Sequence, residues 1–327
     1  MANILDNYII PEVWVDNLTF SIPERAKIFA TGAVYKDPNP AFSGKGVFEH
    51  IPFSKEPTDD LEAPQKNNYL TATELEQSED LMVCVTRQKD FRFSDTVIRR
   101  AGADYYQNLY NDLAEYIAKQ YEKHALGILK AIFGPGGTLY SSHTVDSADP
   151  ISFDTVFAGK QKLGDNAQQL AFGIFHSEMV NILRKKGMVE VRDIPNWKEQ
   201  QINEGTLQKI AGMPIVETDL LNTVGTGANT KYFTYLLGNN SIYFANPHLS
   251  IKTWEDPRIN GGDYHLVVTT DFCIHVPGVR YTLSNGSSIV KEPTNAQLFD
   301  PATWQKVADH NKDIKIVSLM TPGPAVA

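Results

Sequence analysis

The chain has 327 residues, 42% of them hydrophobic and 21% charged, which is an ordinary balance for a folded protein with ample material for a core. Its formal net charge of −9 argues against a dedicated nucleic-acid binder, which shows phosphates a basic face, but not against a protein that encloses nucleic acid. No apolar run approaches the roughly 20 residues of a membrane span. The first residues lack the basic and apolar segments of a secretory signal.

The first 40 residues predict an arm with apolar side chains. Pro11 and Pro23 interrupt this segment, and Pro23 favours the first turn of a short helix, ERAKIFATG, that ends at Gly32. Four large apolar residues are expected to pack on this subunit or on a neighbour: Trp14, Phe20, Ile28 and Phe29.

Residues 41–80 change character. FSGKGVFEHIPF predicts a strand after a Gly-rich start, and LMVCVTRQKDFRFS predicts the next strand. The intervening SKEPTDDLEAPQKNNYLTATELEQSED is acidic and has almost no aliphatic residues, so it cannot build a core of its own. It predicts a long hairpin or loop that is functional, disordered or ordered by another subunit. Acidic pairs such as Asp59 and Asp60 are interpreted as solvated loop charge.

Residues 104–137 predict one long helix, which we call the spine. A short helix capped by Asp95 and ended by Gly102 precedes it. Asp104 is a candidate cap, and GPGG at 134–137 forbids continuation. Some 30 residues at about 1.5 Å each give a rod of roughly 45 Å. Its apolar stripe recurs every three or four residues: Leu109, Leu113, Ile117, Tyr121, Ala125, Ile128 and Ile132.

Residues 151–246 predict a mixed region. A polar connection leads to a helix, FDTVFAGKQKLG, that ends at Gly164, and then to a buried strand, LAFGIFH. SEMVNILRKKGMV predicts a helix capped by Ser177 and ended by Gly187. TLQKIAGMPIVETD predicts two strands joined at Gly212 and Met213. YFTYLLGNNSIYFA predicts a hairpin around residues 238–240.

The remaining residues return to long strands. Residues 247–300 predict two or three strands, separated at 260–262 and at 277–278. The last 27 residues predict a short helix, a strand and a loose tail. The succession of helices and strands in this half of the chain favours an α+β fold.

The chemistry-bearing residues do not converge in the sequence. Cys84 and Cys273 lie in strand-like runs and are expected to be buried reduced thiols, with a disulfide or a reactive thiol as the alternative. His265 and His275 are a weak metal signal, since a site needs a third and a fourth ligand. The GPGG run follows a helix, and no Lys-Ser or Lys-Thr pair follows it, so it does not predict a phosphate loop. We predict no catalytic, cofactor-binding or metal residue, no cofactor, and no enzyme activity.

The order of these parts resembles the major capsid (coat) proteins of tailed bacteriophages, which share the HK97-like fold. The likeness begins with IIPEVW and ERAKIFATGAV and continues through FSGKGVFEHIPF, the acidic excursion, MVCVTRQKDFRFSD and the spine. It ends with FDTVFAGKQKLGD, FGIFHSEMVNILRKKGMV and IAGMPIVETD. It covers roughly residues 8–290 and is carried by order rather than by one sharp motif.

The resemblance implies a division of this α+β chain into the parts of an HK97-like subunit. They are an N-terminal arm (1–40), an extension loop (41–80), a peripheral domain with the spine helix (81–150) and strands (247–300), an axial domain (151–246) and a C-terminal segment (301–327). Such a chain self-assembles into pentamers and hexamers that form an icosahedral shell around double-stranded DNA. Gly44, Gly46, Gly102 and the GPGG run are then hinge candidates, or else ordinary turns.

The resemblance also implies partners and a location. The partners are other copies of the chain, a separately encoded scaffolding protein, a portal protein, a decoration protein and packaged DNA without sequence-specific contact. No membrane is involved. The protein is expected in the virion, after assembly in the host bacterial cytoplasm. Some members of the fold link subunits through a loop lysine. Lys55 and Lys66 lie in the corresponding loop but resemble any surface lysine, so covalent linking is not predicted.

Two other readings stay open at this point. An encapsulin-like compartment shares the fold but holds enzyme cargo, and the long acidic loop and arm favour a coat protein over it. A soluble α+β enzyme needs a pocket where titratable groups converge, and the sequence offers none.

Overall fold

Two β-sheets and one long helix organise the part of the chain that the computed structural model describes. The described residues are 25–37, 48–54, 77–94, 104–192, 207–256, 263–285 and 292–323, with positions 15, 18, 21, 22, 258, 288 and 289. No helix among them is long and apolar enough to cross a membrane.

The longest helix, α1, spans Asp104–Phe133 and confirms the predicted spine. It ends where Gly137 lets the chain fold back on the last turn, since a Cβ there would lie 2.3 Å from the Ile132 carbonyl oxygen. The predicted stripe is buried along its length, except for the half-buried Leu109. Asp104 was predicted to cap this helix, but its side chain lies outside the described part of the structure, so this role stays a prediction. Four shorter helices follow among the described residues: α2 (Tyr140–His143), α3 (Phe153–Gln161), α4 (Ser177–Lys185) and α5 (Asn295–Leu298).

The strands are numbered along the chain. They are β1 (Val34–Asp37), β2 (Phe48–Ser54), β3 (Gln77–Ser94), β4 (Thr144–Asp146), β5 (Leu170–Phe175), β6 (Glu190–Arg192), β7 (Leu207–Ile210), β8 (Met213–Glu217), β9 (Thr223–Val224), β10 (Lys231–Gly238), β11 (Ile242–Asp256), β12 (Asp263–His275), β13 (Val279–Tyr281), β14 (Ser284–Asn285), β15 (Ser288–Ile289), β16 (Trp304–Lys306) and β17 (Ile316–Pro322).

The first sheet has five strands in the order β1-β11-β12-β3-β2. Its three long strands are antiparallel, and β1 joins β11 in parallel. The spine packs on one face of this sheet, because Tyr121 lies against Phe272, with 4.9 Å between ring centroids. The Tyr121 hydroxyl also lies 2.6 Å from Thr270 Oγ1. The predicted strands on both sides of the acidic loop, and those of residues 247–281, are confirmed.

The second sheet runs β4-β17-β10-β5-β8-β7-β6, with β9 beside β10. The C-terminal strand β17 lies in its interior, antiparallel to β10 and parallel to β4. Helices α3 and α4 cover one face, as Val156 and Leu183 share a buried cluster with Leu236 and Leu319. Two short pairs, β13-β16 and β14-β15, complete the described sheets.

The predicted hairpin around residues 238–240 is wrong. β10 pairs with β5 and β17, whereas β11 pairs with β1 and β12, so the turn carries the chain from one sheet to the other. Gly238 N donates to the Lys315 carbonyl and Asn240 N donates to the Gly32 carbonyl. Asn240 takes a positive φ of 52°. Both flanking runs are apolar enough to be central strands, and that pattern says nothing about which strand each one joins.

Three smaller predictions also need correction. Of the predicted short helix, Arg25 is helical and residues 26–33 form successive turns. The Ile28 N–H donates to the Glu122 carboxylate instead of to a helical carbonyl. Helix α4 is capped by His176, whose Nδ1 accepts from Glu178 N. The turn between β7 and β8 is Ala211 and Gly212, both with positive φ.

The polar connection after the spine is also more structured than expected. It contains α2 and β4. The tyrosine that opens α2, Tyr140, donates through its hydroxyl to Asp146 Oδ2 at 2.9 Å.

Candidate assembly surface

One strand belongs to two different ladders. Residues Gln77 to Val83 of β3 pair with β2, and residues Cys84 to Ser94 pair with β12. The change of partner falls between Val83 and Cys84. The first half of β3 therefore forms a hairpin with β2 that begins where the main body of the first sheet ends, and the predicted acidic loop lies between its two strands.

A buried polar contact holds the root of this hairpin. Asp80 Oδ2 lies 3.0 Å from His275 Nε2 and accepts the backbone N–H of Gly278 at 2.8 Å. Both side chains are buried, at 5% and 0% exposure. Gly278 has a φ of 89°, which suits glycine because it has no Cβ to clash. Asp80 thus joins the hairpin to the turn that follows β12, and a buried carboxylate with these contacts is costly to remove.

The described end of the arm packs on the spine. Ile28 and Phe29 are buried, which confirms that they pack. They pack on their own subunit: Phe29 meets Phe244 edge to face, with 4.7 Å between centroids. The buried Glu122 of α1 accepts the Ile28 N–H at 3.0 Å. Burial raises the pKa of Glu122, while hydrogen bonds from the backbone of Ile28 and Lys27 oppose the rise.

Sequence reasoning missed Glu122. It lies next to the stripe residue Tyr121, where the helix pattern predicts an edge position that solvent can reach. One signal could have identified Glu122. It is a carboxylate beside an apolar stripe, and the arm was expected to pack on such a surface. A buried carboxylate needs donors, and the arm backbone supplies them.

A cavity of roughly 200 Å³ lies between the spine and the first sheet. Asn295 Oδ1 accepts from Arg87 Nε at 2.9 Å and lies 3.1 Å from His124 Nε2. Burial lowers the pKa of His124, which favours its neutral form. Side chains of β3, the spine and β12 line this cavity together with Asn295.

The two histidines of the weak metal signal lie far from one another along β12. His265 Nδ1 contacts Asp90 Oδ2 at 2.8 Å, and His275 lies at the hairpin root. Within the described ranges, no three His, Cys, Asp or Glu side chains are placed to hold a metal ion. Cys84 and Cys273 are buried thiols without a disulfide, as predicted.

Several predicted residues fall outside the description. These are the loop residues Lys55, Asp59, Asp60 and Lys66, the hinge candidates Gly44, Gly46 and Gly102, and the cap Asp95. Their predicted roles stay predictions. The GPGG run is described, and it ends the spine as a turn.

A family model described as major capsid protein 13-like (Gp13-like) matches residues 47–315 of this chain. The chain is also similar to the major capsid protein of Bacillus phage SPP1. The two are 22% identical over 328 residues, which cover 96% of each protein.

Solved structures of phage shells share the fold. The capsid of Ralstonia phage GP4 aligns over 90% of this chain and 88% of its own, with a TM-score of 0.58 and 10% identity. The head of Helicobacter pylori bacteriophage KHP40 aligns over 89% and 87%, with a TM-score of 0.53 and 11% identity. The two-sheet architecture with its long helix is thus the HK97-like fold.

Proposed function

This chain belongs to the Gp13-like family of major capsid proteins, and from that premise we propose that it forms pentamers and hexamers of an icosahedral phage head that encloses double-stranded DNA. Members of this family are structural proteins that assemble with copies of themselves into the shell of the virion. The observation that carries the finer proposal is the hairpin of β2 and β3, which leaves the body of the first sheet and holds the acidic loop. A segment that cannot bury itself gains order from a neighbour in a closed ring.

The predicted parts of the subunit belong to this proposal. We assign 1–40 to an arm, 41–80 to an extension loop, 81–150 and 247–300 to a peripheral domain, 151–246 to an axial domain and 301–327 to a C-terminal segment. Sheet membership supports one refinement: β4 and β17 join β10 in the second sheet, so both strands go with the axial part.

Partners and location follow from the same premise. We infer a separate scaffolding protein during assembly, a portal protein at one vertex and assembly in the bacterial cytoplasm. The net charge of −9 suits a shell whose wall does not bind the DNA that is packed inside it. A decoration protein is a further partner of this class.

Electron microscopy of the purified chain, expressed with and without its candidate scaffolding protein, tests the proposal. Closed shells or rings of five and six subunits are expected, and particles with DNA distinguish a phage head from a compartment with enzyme cargo. Small monomers under every condition would contradict it.

Deletion of residues 56–68 tests the loop assignment separately. We expect a folded subunit that assembles poorly, since the deletion removes contacts between subunits and no core of this subunit. Circular dichroism checks the fold, and microscopy counts shells. A Gly/Ser segment of equal length is the matched control for chain connectivity, and normal shells from the deletion would refute the assignment.

A further inference from the structure

The two cysteines, 189 residues apart in sequence, lie directly opposite each other on neighbouring strands. Cys84 of β3 is the register partner of Cys273 of β12. Directly opposite residues of an antiparallel pair point to the same face. Both belong to one small buried cluster with Met82 and Ala245, and Cys273 Sγ lies 3.9 Å from Met82 Sδ.

This placement meets the distance requirement of a disulfide. Opposite residues of an antiparallel ladder have Cα atoms about 4.5 or 5.5 Å apart, and disulfides span about 4.4–6.8 Å between Cα atoms. A bond therefore needs rotation of two side chains and little backbone movement. No disulfide joins the two cysteines in this structure.

We propose that Cys84 and Cys273 are a redox-sensitive pair, which a small disulfide such as oxidised glutathione converts into a cross-strand disulfide at the root of the hairpin. The pair is the last of the β3-β12 ladder, at the residue where β3 passes to β2. The bond would fix covalently the point about which the hairpin can change its angle to the body.

The reaction proceeds by two exchanges. Cys84 is the residue reached first, at 9% exposure against 0% for Cys273. Its thiolate attacks one sulfur of the small disulfide, forms a mixed disulfide and releases one small thiol. The thiolate of Cys273 then attacks the Cys84 sulfur and releases the second small thiol. The protein loses two hydrogens, which appear on the two released thiols, and the small disulfide is reduced.

The surroundings make this oxidation slow while the hairpin root is closed. Burial raises the pKa of the Cys84 thiol to about 12, with further contributions from the negative charges of Asp271 and Glu292. Only the thiolate reacts, so the rate reports on openings of the root that hydrate Cys84. The pair is expected to stay reduced in a reducing cytoplasm and to oxidise in an oxidising medium.

Peptide mapping of the purified subunit, after incubation with oxidised glutathione, tests the proposal. Trypsin gives residues 67–87 and 259–280 as the cysteine-bearing peptides. We expect them to be joined, with loss of both free thiols and of two hydrogens, and to separate on reduction. Hydrogen exchange of the β3 amides near Cys84 should slow several-fold in the oxidised chain.

Three controls make the result decisive. Cys84→Ser and Cys273→Ser should each remove the linkage, and a non-reducing gel shows whether the bond joins one chain or two. The reaction is repeated in urea below the unfolding transition, which opens buried sites. Free thiols under both conditions, separate glutathione adducts on each cysteine, or a bond between chains would each overturn the proposal. The measurement uses the unassembled subunit, so it stands apart from the tests of shell formation.

Discussion

The two sheets differ in how much of their faces the described residues cover. In the second sheet, alternate residues of the interior strands enter different buried clusters. Leu236 packs with α3 and α4, while Phe233, Tyr235 and Leu237 pack in the cluster that contains the spine. Because the interior of this sheet is buried on both sides, the sequence of β10 is almost continuously apolar.

The first sheet has one face that is covered along its length, and among the described residues its other face is covered near the hairpin root, where Cys273 and Ala245 are buried. Along β12, the spine-facing side chains from Leu266 to Phe272 are buried, and those that alternate with them, Val267, Thr269 and Asp271, are half-buried. On the other face Trp254 is 47% exposed and stacks on His265 at 4.4 Å. The interior of the second sheet is thus covered on both sides by described residues, whereas the described residues leave the face of the first sheet around Trp254 accessible.

Neighbouring valines of β12 give the largest expected difference. Val268→Asp places a charge in the buried face, at a cost comparable to the whole stability of a domain, about 5–15 kcal/mol. Val267 is half-buried between its register partners Lys252 and Asp90. Val267→Asp should therefore lower the free energy of unfolding by about 1 kcal/mol or less. Soluble yield and urea unfolding check the pair. Equal losses would mean that both faces of the first sheet are covered.

The same comparison in β10 should show no difference. Leu236→Ala and Leu237→Ala remove fully buried side chains from opposite faces, and each should lower the free energy of unfolding by about 2–5 kcal/mol. Urea denaturation of both variants measures this. A near-neutral result for either one would show that its face lacks a packed cover.

A smaller effect is expected at the hairpin root. Asp80→Ala leaves His275 and the Gly278 N–H without their partner and should cost about 2 kcal/mol. Asp80→Asn keeps an acceptor for the N–H and should cost less. Limited proteolysis at Lys55 and Lys66, alongside thermal unfolding, reports on the hairpin. Unchanged proteolysis in Asp80→Ala would argue that Asp80 does not hold the root.

The smallest effect concerns Glu122, where the arm covers the spine. Because burial raises the pKa of Glu122 in the folded state, its contribution to stability is present below the unfolded-state pKa and is lost as pH rises through the folded-state pKa. Glu122→Gln should flatten this part of the pH dependence of stability. Relative to the unsubstituted chain, the variant should gain slightly more in melting temperature at pH 7 than at pH 4.

Glu115→Gln is the matched control on the exposed face. A hydrogen bond from Lys119 lowers the pKa of Glu115, so its contribution has the opposite sign and is present above the unfolded-state pKa. Thermal unfolding at the two pH values compares the variants. The same sign of change in both would contradict the assignment for Glu122.

The sequence predicted the positions of helices and strands better than it predicted which strands pair with one another. The spine was predictable because an apolar stripe and the GPGG stop are local signals, and each long strand carried its own pattern. Local pattern could not show that β10 and β11 separate into two sheets, or that β17 enters the interior of the second. Those outcomes depend on which distant surface each strand covers.

The root of the hairpin shows the same limit. The sequence showed no signal at Asp80 and no link between Cys84 and Cys273, because residues about 190 positions apart meet only through the β3-β12 register. The cap at His176 was missed for a local reason. The neighbouring Ser177 is the commoner capping residue, but its hydroxyl donates to Asp219 instead.

The sharing of β3 between two ladders has a mechanical consequence. A tension applied to the hairpin along the strand axis passes directly into the half of β3 that pairs with β12 through 11 register pairs, from Cys84 to Ser94. In this direction the ladder is loaded in shear, so its hydrogen bonds share the force instead of breaking one after another. A subunit pulled by its neighbours would therefore carry the load through the stiffest direction of its first sheet.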